Sequence, residues 1–263
     1  MTTTSPDLRP APGAPDPGVR PAGESFGATL RRLAAAQKGA TGAPAYSRFV
    51  NRKLGRVFAA AAYHLGLTPN AVTAVSAAFT ATGIALIALR PPTWTVGVLI
   101  AACLVVGYAL DAADGQLARL RGGGSSAGEW LDHMVDAAKI ASLHLALLIG
   151  LYRFEPLGRT AWLLVPLGFS VVAVVHFFAT LLNEALRAQH GAATRATPSG
   201  RRPGGLRSLL TAPTDYGVLC LAFLLLGAPG PFAVVYTALF AATAGYLLLA
   251  MGTWYREMRG LAR

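Results

Sequence analysis

Four aspartates, Asp111, Asp114, Asp132 and Asp136, fall within one short window of an otherwise apolar chain. The window reads Asp111-Ala-Ala-Asp114-Gly115-Gln-Leu-Ala118-Arg119, then eight residues to Gly128, then Glu129-Trp-Leu-Asp132-His133-Met-Val-Asp136. Spacings of three and four residues put each pair on one helical face. Carboxylates beside hydrocarbon are costly unless a positive charge compensates them. Lys139, one turn beyond Asp136, is expected to balance charge rather than act as a nucleophile. A purely structural ion network is the competing reading, but one lysine does not balance four carboxylates. Divalent cations would. An all-oxygen donor set favours hard ions, Mg²⁺ or Mn²⁺, and two ions are expected on Asp111, Asp114, Asp132 and Asp136. Side-by-side packing of the two helices would bring the four carboxylates together at one point. Metal held at a membrane surface suits a phosphate-bearing substrate, because it neutralises charge on transferring and leaving oxygens.

The elements that must position these groups are membrane helices. The chain is 54% hydrophobic and 13% charged, against about 25% charged in soluble domains. Apolar stretches near the ~20 residues of a bilayer crossing lie at Ala71–Leu89, Trp94–Leu110, Trp130–Leu151, Trp162–Leu182, Tyr216–Leu226 and Phe232–Trp254, the fifth being short. The expected fold is all-α and polytopic: six transmembrane helices over residues 67–263, preceded by an amphipathic interfacial helix at 45–66. In that helix Val50, Leu54, Val57, Phe58, Ala61 and Leu65 share a face, and Arg48, Arg52 and Arg56 mark another. Thr68 as N-cap and Pro69 at the first helical position start span one. Residues 1–44, rich in Pro, Gly, Thr and Ala, are expected to be disordered apart from a short helix around Phe26–Gln37. They contain no apolar core of a secretory signal.

Charge orients the bundle. Of the 23 lysines and arginines, all but Arg90, Arg153, Arg159 and Lys139 fall on one side of the six-span layout, a net charge of +11 overall. The positive-inside tendency places both termini and the aspartate window at the cytoplasmic face of the cell membrane. Because these arginines border apolar spans, a nucleic-acid partner is not expected, and membrane lipids are. Gly122, Gly123 and Gly124 mark a tight loop between spans two and three. Cys103 and Cys220 are expected to fill the core unpaired, His144 and His176 to be packed helix histidines, and Asp215 to be a cap or loop contact at the start of span five, with an acceptor-site role as the alternative. The Arg-rich loop from Ala185 to Thr214, with Arg195, Arg201 and Arg202, suits a phosphorylated acceptor and anionic headgroups equally.

The pattern Asp-x-x-Asp-Gly-x-x-Ala-Arg-x8-Gly-x3-Asp-x3-Asp resembles the signature of the CDP-alcohol phosphotransferases, with every fixed position present. The resemblance extends from Tyr46 to Arg256 and includes Leu67-Thr-Pro-Asn70 before span one. It implies an enzyme that cleaves the diphosphate of a CDP-linked donor, releases CMP and joins the remaining phosphoryl group to an alcohol. It further implies that Asp111, Asp114 and Asp132 ligate metal and that Asp136 both ligates metal and serves as general base. Gly115, Ala118 and Gly128 would border the cytidine, with Arg119 and Asn70 near the nucleotide. A homodimer is also implied. Glu129 and His133 resemble the acid–histidine pair of the choline and ethanolamine branch, which is associated with proton removal. There a soluble CDP-alcohol meets a lipid acceptor. Ser47-Arg48-Phe-Val-Asn51-Arg52 instead resembles the di-inositol-phosphate-phosphate synthase branch, which takes a phosphorylated polar acceptor. The expectation is a CDP-diacylglycerol donor taken from the leaflet and a polar alcohol from water, in phospholipid synthesis. The alternatives are the reversed roles, with a donor of the CDP-ethanolamine or CDP-choline type, and, outside the family, a membrane prenyltransferase or an ion-coupled transporter.

Overall fold

A computed structural model describes residues 23–36, 44–154, 160–192 and 214–261. The described residues form helices without strands. In chain order these are α1 (Phe26–Ala35), a π turn (Ser47–Asn51) leading into α2 (Arg52–His64), α3 (Pro69–Leu89), α4 (Trp94–Leu120), α5 (Ser126–Phe154), α6 (Leu164–Gln189), α7 (Tyr216–Ala222) and α8 (Pro229–Leu261). A 3-10 turn at Thr160–Leu163 precedes α6 and another at Phe223–Leu225 continues α7. Five of these helices, α3, α4, α5, α6 and α8, are long and apolar enough to cross a membrane. The sixth apolar segment, Tyr216–Leu225, covers about 15 Å at helical rise, roughly half the hydrocarbon core. The chain is thus an all-α integral membrane protein whose sixth apolar helix is short.

Local chemistry sets the helix ends. The Thr68 hydroxyl accepts from Ala71 N–H at 3.2 Å. Pro69 is next in line, and Thr93 caps α4 in the same way. Gly66 ends the α2 connection at φ +72°, and Gly122 and Gly123, at +92° and +134°, turn the chain between α4 and α5. Such angles are disfavoured for residues with a Cβ. Both aspartate helices outrun their apolar stretches. α4 continues beyond Leu110 to Leu120 and α5 begins at Ser126, so all four carboxylates sit on regular helix at one end of the bundle.

α3 is the central wedge. It packs against both α4 and α5, whereas the backbones of α4 and α5 stand apart. The aspartate helices approach each other less closely than either approaches α3, and side chains bridge them at the aspartate end. Small residues let α3 come close. The Ser76 hydroxyl donates to the Gly107 carbonyl at 2.8 Å, and a Cβ on Gly107 would overlap Thr80. Further down the bundle Tyr236, Phe223, Phe232, Phe169 and Leu143 fill one apolar core. His144 is packed there, sharing a 2.6 Å hydrogen bond with the Tyr236 hydroxyl and stacked on Phe169. His176 lies against Tyr246 and Trp254, and Cys103 and Cys220 are free thiols.

A second, smaller core joins α1 and α2 to the aspartate end of α4 through Leu33, Ala59, Tyr63, Ala113 and Leu117. α2 presses its small face on α4: a Cβ on Gly55 would stand 2.9 Å from that of Ala112. Leu54 and Val57 on its other side, and Phe49 and Val50 in the π turn before it, remain exposed. Asp215, which caps α7, also accepts from Ser47 N–H at 2.8 Å and so fastens the start of α2 to α7. Burial raises its carboxyl pKa, while the N–H groups of Ser47, Gly217 and Tyr46 act the other way. α1 occupies most of the stretch where a short helix was expected; residues 1–22 and 37–43 lie outside the described residues.

Replacing Gly107 by Ala should lower the thermal unfolding midpoint in detergent, since overpacking costs about 1–3 kcal/mol. Gly245→Ala, where a Cβ meets open space, should leave the midpoint unchanged.

Candidate active site

Where α3, α4 and α5 meet at the aspartate end, they enclose a cavity of about 680 Å³. Asn70 and Thr73 reach it from the first turns of α3. Asp114, Gly115, Ala118 and Arg119 come from the last turns of α4, and Gly128, Glu129, Asp132 and His133 from the start of α5. The five residues expected at a nucleotide, Asn70, Gly115, Ala118, Arg119 and Gly128, therefore line one space together with two of the four aspartates. Gly115 and Ala118 leave a bare strip of helix that a flat ring can approach. Gly128 permits a close crossing: its Cβ would stand 3.0 Å from Asn70 Oδ1.

Asp111 and Asp136 lie beside this cavity and are held by Lys139. Its ammonium is 3.2 Å from Asp111 Oδ1 and 2.5 Å from Asp136 Oδ1, with the Tyr216 ring 5.4 Å away. Lys139 is 8% exposed, so this is a buried bridge between α4 and α5. Asp114 is held differently, accepting a hydrogen bond from the Thr73 hydroxyl at 2.6 Å. The charges still act on one another: Asp111 feels Asp132 and Asp136, and Asp114 feels Asp111 and Asp132. The quartet is one electrostatic group distributed over two neighbouring positions.

The residues fit a divalent cation. Four aspartates and Glu129 outnumber Lys139, Arg119 and Arg121, so the site stays negative, and Asp111 and Asp136 keep acceptor capacity beyond the oxygens Lys139 engages. Ligand atoms of Asp132, His133 and Asp136 lie within 4.8 Å of one another, close enough to share one ion. His133 was not foreseen as a ligand. Its expected contact with Glu129 is only approached. The two stand 4.0 Å apart, Glu129 is largely exposed, and that separation is too long for a hydrogen bond.

Thr73 and Arg121 line the cavity but escaped the sequence reading. Thr73 carries a signal, lying three residues past Asn70 and hence on its face of α3. Arg121 carries none, since it follows the motif in a turn. Arg195, Arg201 and Arg202 lie outside the described residues.

Comparison with known proteins decides the family. The family model described as CDP-alcohol phosphatidyltransferase matches residues 66–254, most of the chain. The chain belongs to the CDP-alcohol phosphatidyltransferase family. As a CDP-alcohol phosphatidyltransferase it is a membrane-embedded transferase of phospholipid biosynthesis, acting on a CDP-linked donor and an alcohol acceptor. This sets aside the prenyltransferase and transporter readings. A solved structure of Mycobacterium tuberculosis phosphatidylinositol phosphate synthase, in complex with manganese and citrate, is 20% identical. The match covers 75% of this chain and 87% of that one, with a TM-score of 0.45. No curated protein matches. α1 and α2 precede the span matched by the family model.

Thr73→Val keeps the shape of the side chain and removes the hydroxyl that holds Asp114. The divalent-ion concentration giving half-maximal CMP release should rise roughly 10- to 100-fold, the usual effect of losing a group that orients a metal ligand. An unchanged metal titration would show that the Thr73–Asp114 bond has no bearing on metal.

Proposed function

We propose that this CDP-alcohol phosphatidyltransferase moves a phosphatidyl group from CDP-diacylglycerol to a hydroxyl of a small polar alcohol, releasing CMP at the cytoplasmic face. The observation that supports the choice of donor is that the crevice between α3 and α5 holds two cavities of opposite character. Farther along these helices than the polar cavity lies a second groove of about 560 Å³. On α3 the shared face runs from Thr73 in the upper cavity to Ala77, Ala81 and Ala85 in the groove. On α5 it runs from Asp132 past Lys139 to Ser142 and Ala146. Spacing at whole helical turns keeps one side of each helix in the crevice. Polar at one end and apolar at the other, it suits a single ligand with a nucleotide head and an acyl chain. A soluble CDP-alcohol would use only the upper half.

In this reading Asp111, Asp114, Asp132 and Asp136 hold Mg²⁺ or Mn²⁺, two ions in all. The bound metal supplies neutralisation of the charge that develops on the diphosphate. Asn70, Gly115, Ala118, Arg119 and Gly128 seat the CDP moiety. Lys139, fixed between Asp111 and Asp136, sets the orientation of both carboxylates. Asp136 takes the proton of the acceptor hydroxyl as its oxygen bonds to the phosphorus that carries the diacylglycerol, and the bond from that phosphorus to the CMP oxygen breaks.

A third cavity of about 240 Å³, lined by His176, Thr180, Asp215 and Tyr216 together with apolar residues such as Leu143 and Phe169, lies among α5, α6, α7 and α8. Glu129 and His133, at 4.0 Å, give weaker support to the branch with a lipid acceptor. The exposed apolar residues of α2 fit an interfacial position on the cytoplasmic leaflet. The excess of arginine at that end supports the orientation, and a homodimer is proposed from the family resemblance.

The test is to supply purified protein with labelled CDP-diacylglycerol or CDP-ethanolamine and a panel of alcohols, and to identify products by mass spectrometry. Phosphatidyl transfer from CDP-diacylglycerol is expected; transfer only from CDP-ethanolamine to diacylglycerol would overturn the donor assignment. Excess chelator should abolish CMP release and added Mg²⁺ or Mn²⁺ restore it. Asp136→Asn should lower turnover by about 10²–10⁴ while CDP binding persists; equal loss of both would remove the base assignment. Ala81→Phe, which fills the apolar groove, should raise KM for CDP-diacylglycerol and leave CDP affinity unchanged.

A further inference from the structure

The junction between α1, α2 and the turn after α4 takes no part in the mechanism above, yet it touches the nucleotide cavity. Tyr63, near the end of α2, is 4% exposed and has a guanidinium on each of two sides. Arg32 of α1 and Arg121 of the α4–α5 turn both lie 5.8 Å from its ring centroid, within cation–π range. The two arginines differ in what else they meet. Arg32 is paired with Glu24 at 2.7 Å. Arg121 lines the nucleotide cavity, and among the described residues its buried Nε has no hydrogen-bond partner. Gly122 and Gly123, with their positive φ angles, follow it directly, so its backbone sits at the head of a turn while its guanidinium lies over the Tyr63 ring.

α1 in turn holds Tyr63. Leu33 is 2% exposed in the same small core, and the Thr29 hydroxyl shares a 3.0 Å hydrogen bond with His64 Nε2.

From this geometry we infer that Arg121 binds a phosphate of the CDP moiety, and that Tyr63, clamped by α1, is the positioning residue that aims it. The inference rests on the reading of the polar cavity as the nucleotide site. A planar guanidinium that lines the cavity with its Nε–H unpartnered is suited to phosphate contact. α1 and Tyr63 precede the span matched by the family model.

The experiment is a double-mutant cycle read by equilibrium binding of CDP and of cytidine to the full-length protein in detergent. Arg121→Ala should weaken CDP binding roughly tenfold or more, the usual range for a charge-assisted hydrogen bond, and leave cytidine affinity unchanged. Tyr63→Leu should weaken CDP binding to a similar extent, Tyr63→Phe should retain it, and Tyr63→Leu should add nothing once Arg121 is Ala. Arg32→Ala keeps the ring and should leave CDP affinity near wild type. Additive losses in the double variant, or equal losses for cytidine and CDP, would overturn the inference. Wild-type protein that binds no CDP would instead overturn the reading of the cavity.

Discussion

The geometry of the site depends on one buried ammonium. Lys139 reaches from α5 to Asp111 on α4 while holding Asp136 on its own helix, and it does so where the two backbones stand apart. Charges interact more strongly in a poorly solvated interior than in water. Without Lys139, carboxylates facing each other across that gap would repel and would remain as uncompensated buried charge. With it, two of the four are fixed and the site as a whole stays negative. That residual charge is what makes the place suited to cations rather than merely to a salt bridge, and it links the architecture of the helices to phosphoryl chemistry.

α3 packs against both α4 and α5, which approach each other less closely. Its small residues bring it close to α4 at Gly107 and leave a crevice along its α5 side. Thr73, at the top of that crevice, holds Asp114; Ala77, Ala81 and Ala85, lower down, hold nothing polar. One helix face thus changes from hydrogen-bonding to apolar within a few turns, in step with the change from headgroup to hydrocarbon expected of the surrounding leaflet. Asp215, anchoring α2 to α7, and the small core around Tyr63 close the same end of the bundle from outside.

Much of this was legible in the residues. Long apolar runs broken by Thr-Pro and Gly-Gly specify membrane helices and their ends, because backbone polar groups in lipid must be satisfied within the helix. The aspartate spacing specifies faces, because helical periodicity is fixed. The glycine and alanine between the aspartates specify where a ligand can approach backbone. The fifth apolar segment was visible too, although its short helix does not match the length of the others.

What the sequence by itself determined, then, was the set of helices, which groups share a face, and the chemistry those groups can support. The tertiary structure decided which helices touch. It set α3 between the two aspartate helices, put His133 beside Asp132 and Asp136, kept Glu129 at a distance, and brought Arg121 and Tyr63 together from separate elements. The physical reason is that periodicity is local, repeating every few residues along one chain segment. Helix neighbours are chosen by close packing of small residues and by buried charge pairs whose partners, like Lys139 and Asp111, are far apart in sequence.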